Sequence, residues 1–178
     1  MLKYCSHIIR AVIGSCALAS CGVTVRAETP EANSYAPLEF LVGGTWIAPL
    51  PADKSGAKRT LEAHFTWMPN HRGVQFESAW VTGEKRAPYV NGLYVWDPAK
   101  QKLAIFYTDA GGDFTSGTLT ASDRVLVHDL SDVDSNGTST PVRTHLTKID
   151  ENVFTNEVLI QKDGAWTKVA EVRYERQR

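Results

Sequence analysis

From Thr45 to the end of the chain, polar and apolar residues alternate in short runs rich in Val, Thr, Tyr, Phe and Trp. Leu61, Ala63, Phe65 and Trp67 fall on one side of such a run, with Glu62, His64, Thr66 and Met68 on the other. In the next run Val74, Phe76, Ser78 and Trp80 oppose Gln75, Glu77, Ala79 and Val81, and later Tyr94 and Trp96 oppose Leu93 and Val95. A period of two is the signature of strands, and no stretch of about 12 residues keeps a helical apolar period uninterrupted. The pattern predicts strands near 44–48, 60–68, 73–82, 90–97, 102–108, 114–121, 124–130, 141–149, 153–162 and 166–176. Turn chemistry separates them: Pro69-Asn70-His71-Arg72-Gly73, Asp97-Pro98-Ala99-Lys100, Asp109-Ala110-Gly111-Gly112-Asp113, Asp150-Glu151-Asn152 and Asp163-Gly164. Connections this short imply antiparallel hairpins, and closing a long meander removes its exposed edges. The expected fold is all-β, an antiparallel up-and-down barrel of about 8–10 strands.

Several runs carry apolar residues on both faces, so parity alone does not say which face points inward. Phe65, Trp67, Phe76, Trp80, Tyr94, Trp96 and Phe106 are the candidate lining residues of an interior site, with His64 and Glu77 as polar ones. A barrel of this size either encloses one small ligand or is filled by its own side chains. Both arrangements suit large aromatics.

The N-terminal segment has a different texture. Lys3 and Arg10 precede a modest apolar stretch, Ala11–Leu18, and no acid occurs before Glu28. That is the pattern of a secretory signal peptide, excluded from reasoning about the fold. Two processing sites compete. Val25-Arg26-Ala27 fits ordinary signal peptidase, giving a leader of residues 1–27. Leu18-Ala19-Ser20-Cys21 resembles a bacterial lipobox, giving a leader of residues 1–20 with a lipidated Cys21 as the mature N-terminus. The expected location is therefore the periplasm, with a lipid anchor in the membrane or as a free secreted protein. Residues 28–37 read as a polar tether, Pro37–Val42 as one helical turn, and residues 38–178 as a single domain.

All three cysteines lie within the first 21 residues, so neither cleavage leaves a disulfide, a thiol catalyst or a cysteine metal site in the domain. Losing Lys3, Arg10 and Arg26 with the leader moves the formal net charge from -1 to -4. With no strongly basic run either, nucleic acid is not an expected partner.

Leu38-Glu39-Phe40-Leu41-Val42-Gly43-Gly44-Thr45-Trp46 resembles the opening of lipocalin-like (calycin) barrels, which carry Gly-x-Trp after a short helical turn. Val172-Arg173-Tyr174-Glu175-Arg176 resembles their closing strand, and the resemblance implies an arginine across the tryptophan. Gly92-Leu93-Tyr94-Val95-Trp96-Asp97-Pro98, followed by Phe106-Tyr107-Thr108-Asp109, is similar to a bacterial lipocalin-like family of unknown function. Trp96 stands where that family usually has tyrosine. The likeness implies a fold and almost no chemistry. Arg176, rather than Arg173, is the expected partner of Trp46, a structural cation–π closure.

Candidate chemistry is sparse. Asp132-Val133-Asp134-Ser135-Asn136-Gly137 matches the first half of a calcium loop, yet its twelfth position is Arg143 where a glutamate is required. A plain turn is expected, and no metal. His64, His71, His128 and His145 survive processing without metal-ligand spacing. A haem-binding relative of this fold uses one barrel histidine, which draws attention to His145. The Gly-x-Trp-x-Gly continuation of such proteins is absent, because Ile47-Ala48-Pro49 follows Trp46. No cofactor is expected, and no nucleophile elbow or paired-carboxylate spacing marks an enzyme. The expected function is binding of a small apolar or amphipathic molecule inside the barrel. The alternative is a filled barrel acting as an envelope structural or interaction module.

Overall fold

The computed structural model describes residues 34–52 and 56–177. The leader, Cys21 with both processing sites, and the first part of the tether lie outside the described residues.

One 3-10 helix, η1 (Ala36–Leu41), precedes ten strands: β1 (Thr45–Leu50), β2 (Arg59–Trp67), β3 (Val74–Thr82), β4 (Lys85–Asp97), β5 (Lys102–Asp109), β6 (Phe114–Ser122), β7 (Val125–Val133), β8 (Ser139–Asp150), β9 (Val153–Lys162) and β10 (Ala165–Gln177). Each strand pairs antiparallel with its sequence neighbour, and β1 pairs with β10, so the sheet is a closed up-and-down barrel.

Aspartates shape the hairpins by accepting backbone N–H groups. Asp97 Oδ1 accepts from Ala99 and Lys100 at 3.0 and 3.2 Å, and Asp109 Oδ1 accepts from Gly111 and Asp113 at 2.7 and 3.1 Å. At the last turn Asp163 and Gly164 both adopt positive φ, 51° and 79°, which matches the twist of a tight hairpin. The segment resembling a calcium loop is a turn of the same kind. Asp134 Oδ1 accepts from Asn136 at 2.9 Å and Thr138 at 2.8 Å, and these amides hold the carboxyl below its usual range. Arg143 is engaged elsewhere, 2.6 Å from Asp129 and stacked 4.6 Å from the Trp166 ring.

The register settles the faces, because residues directly paired across strands share one. Trp46 pairs with Ala63, Ala63 with Ser78, Phe65 with Phe76, and Val74 with Tyr94. Trp46, Ala63, Phe65, Val74 and Tyr94 are all buried, so this set faces inward.

η1 seals the end of the barrel where β1 begins. Leu38 and Leu41 have no exposed surface, and neither does Trp46, whose indole N–H donates to the Leu41 carbonyl at 2.8 Å. The Arg176 guanidinium stacks on the other side of the seam, 4.4 Å from the Trp46 ring, and donates to the Phe40 carbonyl. Such a stack contributes roughly 0.5–2 kcal/mol. Phe154 meets Trp46 edge-on at 4.7 Å and stacks on Tyr174 at 4.6 Å. Arg173 instead faces outward and pairs with Glu175 at 3.2 Å. Of the expected tether, 28–37, the described residues are packed against the barrel. The buried Tyr35 hydroxyl donates to the Arg72 carbonyl and accepts the Trp96 amide, both at 2.9 Å, so ordered packing begins before Pro37.

Candidate functional site

No helix covers the opposite end among the described residues. Inward positions there include Trp80 on β3, Tyr107 on β5, Thr115 on β6, Asp132 on β7 and Val142 on β8. Thr115 is buried, but Trp80, Tyr107, Asp132 and Val142 keep partial contact with solvent although they point into the barrel. The inner wall is therefore partly exposed to solvent at this end.

A bulge adds an aromatic that strand parity would not. Opposite Ser78 and Ala79, β4 has an additional residue between Pro88 and Val90, which leaves Tyr89 unpaired. A bulge re-aims its side chain, and the Tyr89 ring meets Trp80 at 4.8 Å. Below it, Phe76 connects Phe65 (5.9 Å), Tyr94 (5.1 Å) and Tyr107 (6.0 Å). Gly92 makes this possible, because a Cβ there would lie 2.5 Å from both the Phe76 ring and Tyr107 Cβ.

The floor is polar and sealed. His128 is 3% exposed, with Nε2 3.1 Å from the Tyr94 hydroxyl and Nδ1 2.8 Å from the Thr144 hydroxyl. Burial pushes the imidazole down to about 4, so it is neutral at physiological pH, one ring nitrogen donating and the other accepting. Burial, and then the neighbouring Tyr107, push the Tyr94 phenol well above its ordinary value. Nearer the mouth, the Thr115 hydroxyl donates to Asp132. Burial raises the Tyr107 phenol, Thr115 partly offsets the shift, and Asp132 adds to it.

The residues picked out by sequence divide three ways. Phe65, Phe76, Tyr94 and Trp80 line the interior. Trp67 and Trp96 face inward but belong to the sealed end: Trp67 meets the Tyr35 ring at 6.0 Å, and Trp96 packs against the core there. Phe106, His64 and Glu77 are corrected to the outer face. Phe106 pairs with Leu93 and Ser116, one residue out of phase with Tyr107, and His64 pairs with Glu77 beside the inward Phe65. Glu77 instead joins Arg86, 3.6 Å away, on the surface. His145 is likewise outside, 3.0 Å from Glu157. Tyr89, Tyr107, Thr115, His128, Asp132 and Thr144 were not singled out as lining residues. Their parity becomes readable once Phe65 is known to face inward, except for Tyr89, which depends on the bulge.

A concavity of about 520 Å3 lies beside η1 between Glu39 and Phe40, the β6–β7 turn at Asp123 and Arg124, and Lys148. Lys148 is already engaged there, 2.5 Å from Glu151 and 5.3 Å from the Phe40 ring. It is a surface cleft of mixed charge, without the converging rings and hydroxyls of the interior.

No protein-family model and no curated protein matches the chain. Among solved structures, the fold is similar to the crystal structure of Rv2717c from M. tuberculosis, with a TM-score of 0.54 and 13% identity. The match covers 82% of this chain and 98% of that one. It supports the barrel architecture. The barrel has ten strands, against the eight of lipocalins.

Proposed function

We propose that the chain is an exported, lipocalin-like binding protein that holds a small amphipathic molecule in the unsealed half of its barrel. The observation that carries this reading is the contrast within one inner face. Trp80, Tyr89, Tyr107 and Val142 keep contact with solvent with no helix over them, whereas Trp46 lies fully buried beneath Leu38 and Leu41 of η1. Aromatic walls with a few converging polar groups are the usual composition of a small-molecule site. The rings would take the apolar part of the ligand, and Asp132, Thr115 and the phenols would orient its head. Acylation of Cys21 would hold the barrel at the membrane, since an acyl chain adds affinity with each buried methylene. Binding, not catalysis, is the activity proposed. A filled module docking through its outer surface is less favoured: the exposed large apolar side chains, Phe114, Ile149 and Val169, stand on three separate strands.

Native mass spectrometry of the protein purified gently from its host tests the reading. A co-purifying small-molecule mass is expected, with its occupancy reduced in Trp80→Ala. A clean apo mass, with no tryptophan response to a panel of fatty acids, amines, alcohols and quinones, would overturn it.

A further inference from the structure

Three features of the unsealed half bear on the chemistry of its ligand. The first is the sign of its charge. Asp132 faces inward, bonded to the buried Thr115, and Asp109 stands on the same inner face at the top of β5. Two phenols and a carboxyl register the negative potential. Burial raises the Tyr89 and Tyr107 phenols, and Asp109 and Asp132 raise both further. At the rim, the Asp113 carboxyl is raised by desolvation and then by Asp109, Asp132 and Asp134.

The second feature is the aromatic surface beside those carboxylates. Tyr89 and Tyr107 are inward rings with partial solvent contact, and Trp80 continues the surface at 4.8 Å from Tyr89. A cation already lies on part of it, since the Arg59 guanidinium is 4.9 Å from the Trp80 ring. Electron-rich ring faces next to a carboxylate attract an ammonium group by two additive electrostatic effects. The third feature lies deeper. Asn156 pairs with the inward Leu146, and its Oδ1 is buried without a hydrogen-bond partner. It is an acceptor in need of a donor.

We propose, resting on the ligand-binding reading above, that this site selects an amine-bearing amphiphile whose cationic head sits between Asp132 and the Tyr89 and Tyr107 rings. Its tail runs down against Phe76 toward the Tyr94 floor. An anionic amphiphile would have Arg59 as its partner, but would meet the field of Asp109 and Asp132.

Octylammonium, octanoate and 1-octanol share a tail and differ in head charge. Each is titrated into the full-length protein at neutral pH, read by tryptophan fluorescence and calorimetry. Octylammonium is expected to bind at least about tenfold tighter than either of the others, and added salt should narrow the gap. Asp132→Asn should weaken octylammonium by about fivefold or more while leaving octanol within about twofold. If that variant fails to fold, Tyr89→Leu is expected to show the same selective loss. Octanoate or octanol binding as tightly as octylammonium would overturn the cation selectivity and leave the binding reading standing. No binding by any of the three would overturn the selectivity, and with a clean apo mass the binding reading falls as well.

Discussion

The two ends of this barrel are built from the same alternation and finish in opposite conditions. Around Trp46 the inward side chains meet η1, whose Leu38 and Leu41 leave no exposed surface. Around Tyr107 inward side chains of comparable size meet no such cap, and solvent reaches them. The difference comes from a six-residue helix outside the sheet, not from the strands. An inward aromatic is therefore core or binding wall according to what lies over the end of the barrel.

Substitutions at the two ends should separate these roles. Trp46→Ala removes the indole under η1 and its bond to Leu41, and should cost about 3–5 kcal/mol of stability, read by denaturant unfolding. A cost below about 1 kcal/mol would mean that the seal is not what holds that end.

The floor should respond to acid. The unfolded chain protonates His128 near its ordinary 6.5, whereas the folded protein resists until about 4. Stability from this group is complete above the ordinary value and is lost as pH falls through that window, by about 3 kcal/mol. His128→Gln keeps a donor and an acceptor, and should flatten this part of the stability–pH curve. An unchanged acid limb would show that His128 is not its source.

Gly92→Ala drives a methyl into Phe76 and Tyr107, an overpacking cost of about 1–3 kcal/mol by thermal unfolding. It should also weaken any ligand that lies along Phe76. Tyr89→Leu should show the smallest stability change, about 0.5 kcal/mol or less, because its ring is partly exposed at the uncapped end. A large loss there would place Tyr89 in the core and erase the contrast between the ends.

The ten strands and their turns were legible in the sequence because each depends on local pattern, whereas the Trp46–Arg176 stack was implied by the resemblance of the first and last strands to lipocalin-like barrels. The inner face was not. Leu61 and Glu62 show the alternation, but later strands carry apolar residues on both sides, and Phe106 is as apolar as Tyr107. Only the register from β2 to β5 sends Phe106 outward. Tyr89 was hidden for another reason: a bulge breaks the period on which any parity argument depends. Nothing in the spacing of His128 set it apart from the other histidines, and only Tyr94 and Thr144, brought together from other strands, make burying it tolerable.

The seam that closes the barrel is short. β1 meets β10 only through Thr45–Gln177, Trp46–Arg176 and Ile47–Glu175. Its halves lie at opposite ends of the domain sequence, so the loop to be closed spans nearly the whole folded chain. Hairpins from β2 to β10 can zip from neighbour to neighbour, whereas this junction must wait for the C-terminal strand. It should be the last ladder to form during folding and the first whose amides exchange with deuterium. Until Arg176 arrives, two unsatisfied strand edges remain open to a chaperone or to another chain.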